Sequence, residues 1–204
     1  MSATLSILSL LLFVVLIICF VVFSELVAFL RTRVPFVPTS KADIEFIVKK
    51  LGISSADTFY DLGSGNGKVV FLVNQMSGAR CVGFELGWWT VLFAKIKVWF
   101  LQYFSPSGGD ARVSAGGGSA SGGHPRAERV QFKNQNFFKA DWSGANYIYG
   151  YLYPPLMARV EEKFLADCKP GSTAVIRDFP FPRMKYTEKI LRPHNHDIYI
   201  YKKV

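Results

Sequence analysis

Residues 1–30 contain no lysine or arginine, and the whole chain of 204 residues has only three cysteines and three histidines. Cys19, Cys81 and Cys168 are odd in number and far apart, which excludes a disulfide framework and a zinc cluster and fits a reducing compartment. His194 and His196 flank an expected turn, where such a pair is solvated, and His124 stands alone, so no metal site is expected. Carboxylates are scarce as well: 15 against 24 basic side chains, a formal net charge of +9. The positive charges are scattered along the chain rather than clustered, which argues against nucleic acid as a partner and for an anionic membrane surface. No repeat is visible, and no GxxxxGK[ST] occurs, which excludes a phosphate-binding P-loop.

The apolar residues are concentrated at the start. Nineteen residues from Leu5 to Phe23 carry no charge, and at about 1.5 Å per residue such a helix spans roughly the ~30 Å hydrocarbon layer. A cleaved signal peptide is the rival reading, but it requires basic residues before the run, a shorter run and a small-residue cleavage site, none of which the sequence shows. The expectation is a single transmembrane anchor over residues 1–33. Every lysine and arginine follows residue 30, so the positive-inside bias places the rest in the cytoplasm, or on the matrix side if the membrane is mitochondrial. Glu25 lies just past the apolar run, within reach of the headgroups. Residues 34–204 are long enough to bury one core, and they form one expected domain.

Prolines at 35 and 38 separate the anchor from TSKADIEFIVKKLGI, an amphipathic helix that Thr39 or Ser40 can cap and whose Ile44, Ile47 and Leu51 share one face. ADTFYDLG then reads as a strand, GNGKVVFLVNQMSG as a glycine loop entering a helix, and ARCVGFEL as a second strand. The aromatic segment 87–104 reads as a crossover helix and not a second span, because Lys95 and Lys97 at its middle would each cost about 2.5–3.5 kcal/mol at a bilayer centre. Residues 105–123 are dominated by glycine and serine and are expected to be a disordered loop within the domain. Strands follow in RVQFKNQNFF, NYIYGYLYPP and GSTAVIRDFPFP, with the helix LMARVEEKFLADC before the last, and the tail suggests a hairpin around RPHN. The fold class is therefore α/β: a Rossmann-like, mostly parallel sheet with helices on both faces and a C-terminal β-hairpin, preceded by one transmembrane helix.

The stretch FYDLGSGNGKVV ends a buried strand on Asp61 and follows it with Gly63, Ser64, Gly65 and Gly67. So bare a backbone lets a ligand approach the main chain. Counting Gly63 as the first position, the sixth is Lys68, so the spacing is GxGxG and not the GxGxxG of a dinucleotide site. Asp61 repels an anionic ligand and would hold a cationic amino group. S-adenosylmethionine has an ammonium, a sulfonium and no phosphate, and meets that requirement. Glu85 ends the second strand, where two acceptor oxygens suit the paired hydroxyls of a ribose. Asn136 offers an amide to an adenine edge, with Phe137 beside it to pack on the ring. The competing readings are a plain tight turn, a surface carboxylate at Glu85 and an ordinary turn residue at Asn136.

At these residues the chain resembles the class I S-adenosylmethionine-dependent methyltransferases, from about residue 35 to the end. More narrowly it is similar to the membrane-anchored group containing the mitochondrial lysine methyltransferases of ATP synthase subunit c and of the adenine nucleotide translocase, with their prokaryotic relatives. The carrying features are the leading apolar helix, PFVPT at 35–39, YDLGSGNGKVV, VGFEL, YLYPPLM and RDFPFP at 177–182. The resemblance implies S-adenosylmethionine as cofactor and a protein lysine in or near the membrane as acceptor. The chain departs from the relatives at Gly87 and Trp88, where they tend to read ELNP after the second strand, and in its glycine-serine insertion.

For the acceptor, Tyr153 and Pro154 at the end of the fourth strand are the expected wall, while Tyr149 and Tyr151 are expected to be one packed face of that strand. YPP is similar to the [DN]PP[FY] motif of methyltransferases acting on planar amides and bases, but tyrosine replaces the orienting Asp or Asn, which favours an alkyl amine. Asp178 is a candidate to orient an incoming ammonium, or else to pair with Arg177 or Arg183. A lipid or quinone-like acceptor, and a catalytically silent nucleoside-binding membrane module, are the alternatives. Oligomeric state is not legible from the chain.

Overall fold

The computed structural model describes residues 3–32, 39–104, 127–192 and 197–204. Among the described residues, five helices and seven strands follow one another in the order the sequence pattern predicts. Helix α1 (Ala3–Thr32) is followed by α2 (Lys41–Leu51), β1 (Thr58–Leu62), α3 (Lys68–Ser77), β2 (Arg80–Glu85) and α4 (Trp88–Phe104). Then come β3 (Val130–Asn134), β4 (Tyr147–Gly150), α5 (Met157–Asp167), β5 (Thr173–Arg177), β6 (Glu188–Ile190) and β7 (Ile198–Lys202). The glycine-serine loop at 105–123, the prolines at 35 and 38 and all three histidines lie outside the described residues.

The strands form one sheet in the order β3-β2-β1-β4-β5-β7-β6. The first five are parallel; β7 is antiparallel to β5 and to β6, which makes the expected terminal hairpin. β1 and β4 sit side by side although a large part of the chain separates them. The strand order reverses between them, and open parallel sheets bind ligands outside the carboxyl ends of their strands at such a point.

Alternation along the strands divides the core in two. Phe59, Cys81, Val130, Phe132, Tyr149 and Val175 face α2, α3 and α4. Leu62, Val82, Phe84, Ile148, Ala174 and Ile176 face α5 and the segment around Trp142. Side chains two apart share a face of a strand, so Asp61 points to the same side as Phe59, with Tyr149 and Val175 following in register across β4 and β5.

Helix α2 starts at Ser40, whose hydroxyl accepts from the Asp43 N–H (3.1 Å), and stops at Gly52 in the left-handed conformation. Ile44 and Ile47 on its inner face are buried and Leu51 packs against them. α1 is continuous for 30 residues, and its stretch Ala3–Ser24 is long and apolar enough to cross a membrane, with none of that window buried. It meets the rest of the protein at α4, where the rings of Phe20 and Trp89 lie edge to face, 6.3 Å apart.

Candidate active site

The glycine loop joins β1 to α3 at the switch point. Its shape is held by main-chain bonds: the N–H groups of Gly63 and Ser64 both donate to the Phe84 carbonyl at 2.9 Å, and Gly67 N–H donates to the Ser64 carbonyl at 2.9 Å. Gly63, Gly65 and Gly67 all have left-handed φ values, +81°, +51° and +78°. At Gly67 a second constraint applies, since a Cβ would lie 2.3 Å from the Phe132 ring. The reason for a bare backbone at this position is therefore tight internal packing together with the left-handed turn, rather than ligand approach alone. Gly83 on β2 does the same from below, because a Cβ there would stand 2.6 Å from Ser64 Oγ. Sequence reasoning missed Gly83; a glycine in the middle of an otherwise apolar strand was its signal.

Two buried polar atoms point to a ligand. Asp61 is 3% exposed, and its Oδ2 has no partner among the described residues; nor has Ser64 Oγ, at 5% exposure. An orphaned buried carboxylate oxygen is costly. Burial, and to a lesser degree the nearby Glu85, push the Asp61 carboxyl up to about 8. A cationic donor at Oδ2 would remove both penalties. The residues present thus fit the ammonium end of S-adenosylmethionine.

Glu85 is placed differently from the expectation that both its oxygens are open to a ribose. Its Oε2 accepts from Gly65 N–H at 2.9 Å, and its Oε1 accepts from Leu86 (2.7 Å) and Gly87 (2.8 Å). Three of the roughly four lone-pair directions of a carboxylate are already used to tie the loop to β2. Asn136 is also partly committed, since its Oδ1 accepts from Phe138 N–H at 2.9 Å and so caps a single tight turn of helix. Phe137 packs on Phe138 and Trp142, and its carbonyl accepts from Trp142 Nε1 at 3.0 Å.

On the other side of the switch point the tyrosines separate as expected. Tyr149 is buried, stacks on Phe59 and shares a hydrogen bond with Thr39 Oγ1 at 2.7 Å, while Tyr147 donates to the Leu51 carbonyl at 3.1 Å. Tyr153 and Pro154 are exposed at the carboxyl end of β4, where Tyr153 precedes another single turn of tight helix. Asp178 follows β5 with φ +61° and donates its N–H to the Asp197 carbonyl at 2.9 Å. Burial and the hydrogen bond with Asp178 push the Tyr151 hydroxyl up to about 12, so that phenol stays protonated. Of the two arginines offered as partners for Asp178, Arg183 meets Glu161 (3.5 Å) and Glu162 (2.9 Å), and Arg177 meets Asp43.

That last contact belongs to a cluster that no sequence spacing announces. Arg177, 2% exposed, places Nη2 at 3.2 Å from Asp43 Oδ2, while Arg192 reaches Oδ1 through Nε at 3.0 Å and Nη2 at 2.9 Å. Burial alone would raise the Asp43 carboxyl; hydrogen bonds from Ser40 and Arg192 and the charges of Arg177 and Arg192 hold it below the usual range. Asp43→Ala leaves Arg177 buried without its counter-charge, and removing one partner of a buried pair costs about 3–5 kcal/mol. Thermal unfolding of this variant is expected roughly 10 °C below the parent. Since the Asp43 carboxyl is depressed in the fold, the stability it contributes is present above the unfolded carboxylate range and is lost as acid protonates it. The gap between parent and variant is expected to close on acidification.

The sheet order, with the ligand-binding switch point between β1 and β4, is a fold that solved S-adenosylmethionine-dependent methyltransferases share. Residues 38–105 match the family described as histone methylation protein DOT1. The chain is 26% identical over 153 residues to the adenine nucleotide translocase lysine N-methyltransferase of Mus musculus, covering 75% of this chain and 56% of that protein. It thus spans little more than half the length of that relative. Among solved structures, an RNA methyltransferase from Salinibacter ruber superimposes with a TM-score of 0.66 at 23% identity, covering 81% of this chain and 93% of that one. A methyltransferase from Geobacter sulfurreducens gives a TM-score of 0.51 at 16% identity over 69% of this chain and 49% of that one. Both were solved in complex with S-adenosyl-L-homocysteine.

Proposed function

We propose that this protein is a membrane-anchored methyltransferase that uses S-adenosyl-L-methionine to methylate a lysine amine on a protein in or beside the same bilayer. The observation that carries the cofactor assignment is the buried Asp61 carboxylate, with Oδ2 unmatched, at the mouth of the glycine loop. Asp61 holds the ammonium of the methionine moiety, Ser64 Oγ donates beside it, and the main chain at Gly63, Gly65 and Gly67 lies close against it. Glu85 offers its remaining lone-pair direction to a ribose hydroxyl, while Asn136 Nδ2 and Phe137 face the adenine.

When bound, the cofactor supplies a methyl group on a positively charged sulfur. Held by Asp61 and the glycine loop, that methyl group would be open to in-line attack by a neutral acceptor nitrogen. The chain's part is to hold the acceptor about 3–3.5 Å from the methyl group and to exclude water. Tyr153 and Pro154 form the wall along which a lysine stem lies, and Asp178 orients its head. A partly apolar setting lowers the pKa of the incoming amine, which supplies the neutral form that attacks.

Lysine as acceptor is supported by the name of the mouse relative and by the absence of an Asp or Asn before Pro154. Anchoring through α1 is supported by its length, its apolar composition and its exposure. The absence of lysine and arginine before Arg31 supports a cytoplasmic or matrix-side location for the rest. Tethering raises the effective concentration of targets in the same bilayer.

The test is to incubate membranes containing the full chain with methyl-labelled S-adenosylmethionine. Label is expected in protein, on lysine after mass-spectrometric mapping. Label in the solvent-extractable fraction would replace the proposed acceptor with a lipid or quinone-like molecule, and no label in either fraction would refute enzymatic activity.

A further inference from the structure

Helix α4 is apolar on all sides, yet among the described residues one of those sides stays largely exposed. At 3.6 residues per turn, Val91, Ala94, Val98 and Leu101 fall on one face and pack on the core. Trp88, Phe93, Ile96, Trp99 and Phe100 fall on the other and are 49–60% exposed. Lys95 and Lys97 occupy the two seams between these faces, and Lys97 Nζ lies 4.3 Å from the Phe71 ring. A helix that is hydrophobic all round is normally buried, and an exposed aromatic stripe of this length marks an interaction surface.

We propose that the outer face of α4 lies in the membrane interface and seats the catalytic domain on an anionic bilayer. Three observations select lipid as the occupant. α4 is the element against which α1 packs, through Phe20 and Trp89, so the stripe begins where the apolar helix meets the domain. Tryptophan and phenylalanine are the side chains that settle at the headgroup boundary, and lysines at the seams can bury their stems while keeping their charge in water. Beyond residue 30 the chain carries 24 basic and 14 acidic side chains, Glu25 being the one carboxylate before that point, and each basic residue near an anionic surface contributes about 1 kcal/mol. The face is buried by roughly 5–10 Å at most, which keeps Lys95 and Lys97 out of the hydrocarbon. This inference rests on α1 being membrane-inserted, and it adds that the domain is laid flat beside it rather than swinging on a tether. The mouth of the glycine loop and the acceptor wall are then held at a set height above the bilayer.

Four tryptophans make the test possible. Trp142 is fully buried in the core and serves as an internal reference, whereas Trp99 is about three turns along α4 from the contact with α1. The full chain is reconstituted into vesicles of phosphatidylcholine and phosphatidylglycerol whose acyl chains carry bromine near the headgroup, floated on a density gradient, and compared with Trp99→Phe, whose exposed position leaves the core untouched. The expected result is co-flotation, with a bromolipid-quenched component of the emission that Trp99→Phe loses. Co-flotation with the same quenched fraction in both proteins overturns the seating of α4 and leaves the anchor standing. Such a result would leave the stripe to a protein partner. Failure to float overturns the anchor and this inference together.

Discussion

Asp61→Ala is expected to weaken binding of S-adenosyl-L-homocysteine roughly 100-fold, because truncating one partner of a buried, hydrogen-bonded charge pair costs about 3 kcal/mol or more. Calorimetric titration checks it, and an unchanged affinity would refute the ammonium contact. The same carboxyl gives the binding a pH dependence. It sits at about 8 in the free protein because burial disfavours its charge, and the ammonium selects the charged form. Binding near pH 6.5 must therefore release about one proton, and affinity is expected to rise close to tenfold per unit as pH approaches that value. Titrations in two buffers of different ionisation heat measure the proton directly.

The stability of the free protein should move the opposite way. Asp61 titrates higher in the fold than in the unfolded chain, where 3.8 is the ordinary value. Its protonated form is the one the fold tolerates, so its contribution is complete at acid pH and is lost as pH rises towards about 8. The loss is on the order of 1.4 kcal/mol for each unit of displacement. Asp61→Asn keeps the shape and removes the charge. It is expected to unfold several degrees above the parent at pH 9 while binding no better than Asp61→Ala, which separates the folding role of the position from its binding role. A parent melting temperature that does not fall between pH 5 and pH 9 relative to Asp61→Asn would contradict the buried charge.

Gly67→Ala is the second change with a large expected effect. Two penalties coincide: a left-handed φ of +78°, and a Cβ placed 2.3 Å from the Phe132 ring, with Phe71 next to it at 3.2 Å. Strain of this kind costs about 1–3 kcal/mol and overpacking a well-filled core about 1–3 more. A loss near 4 kcal/mol, or roughly 10 °C in melting temperature, is expected. Phe132→Leu opens the space that Cβ needs. If the ring contact is the cause, Gly67→Ala costs less in the Phe132→Leu background than in the parent; equal costs in the two backgrounds would assign the whole effect to the backbone.

Much of the site was visible as local pattern. Asp61, the three glycines and Glu85 sit in strand–turn–strand grammar, which depends on residues near one another in the chain, and the structure places all of them at one edge of the sheet. Glu85 shows the limit. Its type and position were legible, but the three main-chain donors around it were not, because they are fixed by how the loop closes over β2. The Asp43–Arg177–Arg192 cluster joins residues up to 149 positions apart, and no periodicity carries information over that distance.

The sequence by itself determined the order and kind of the elements, the apolar leading helix and the chemical character of the switch-point loop, since backbone preference, hydrophobic period and the charge of Asp61 are properties of short stretches. Only the tertiary structure decided which face of α4 is left uncovered, why Gly67 and Gly83 must lack side chains, and that Asp61 is sealed from water at about 8. Each of these depends on what packs against the residue from a distant part of the chain, and burial, close contact and desolvation exist only once those parts have met.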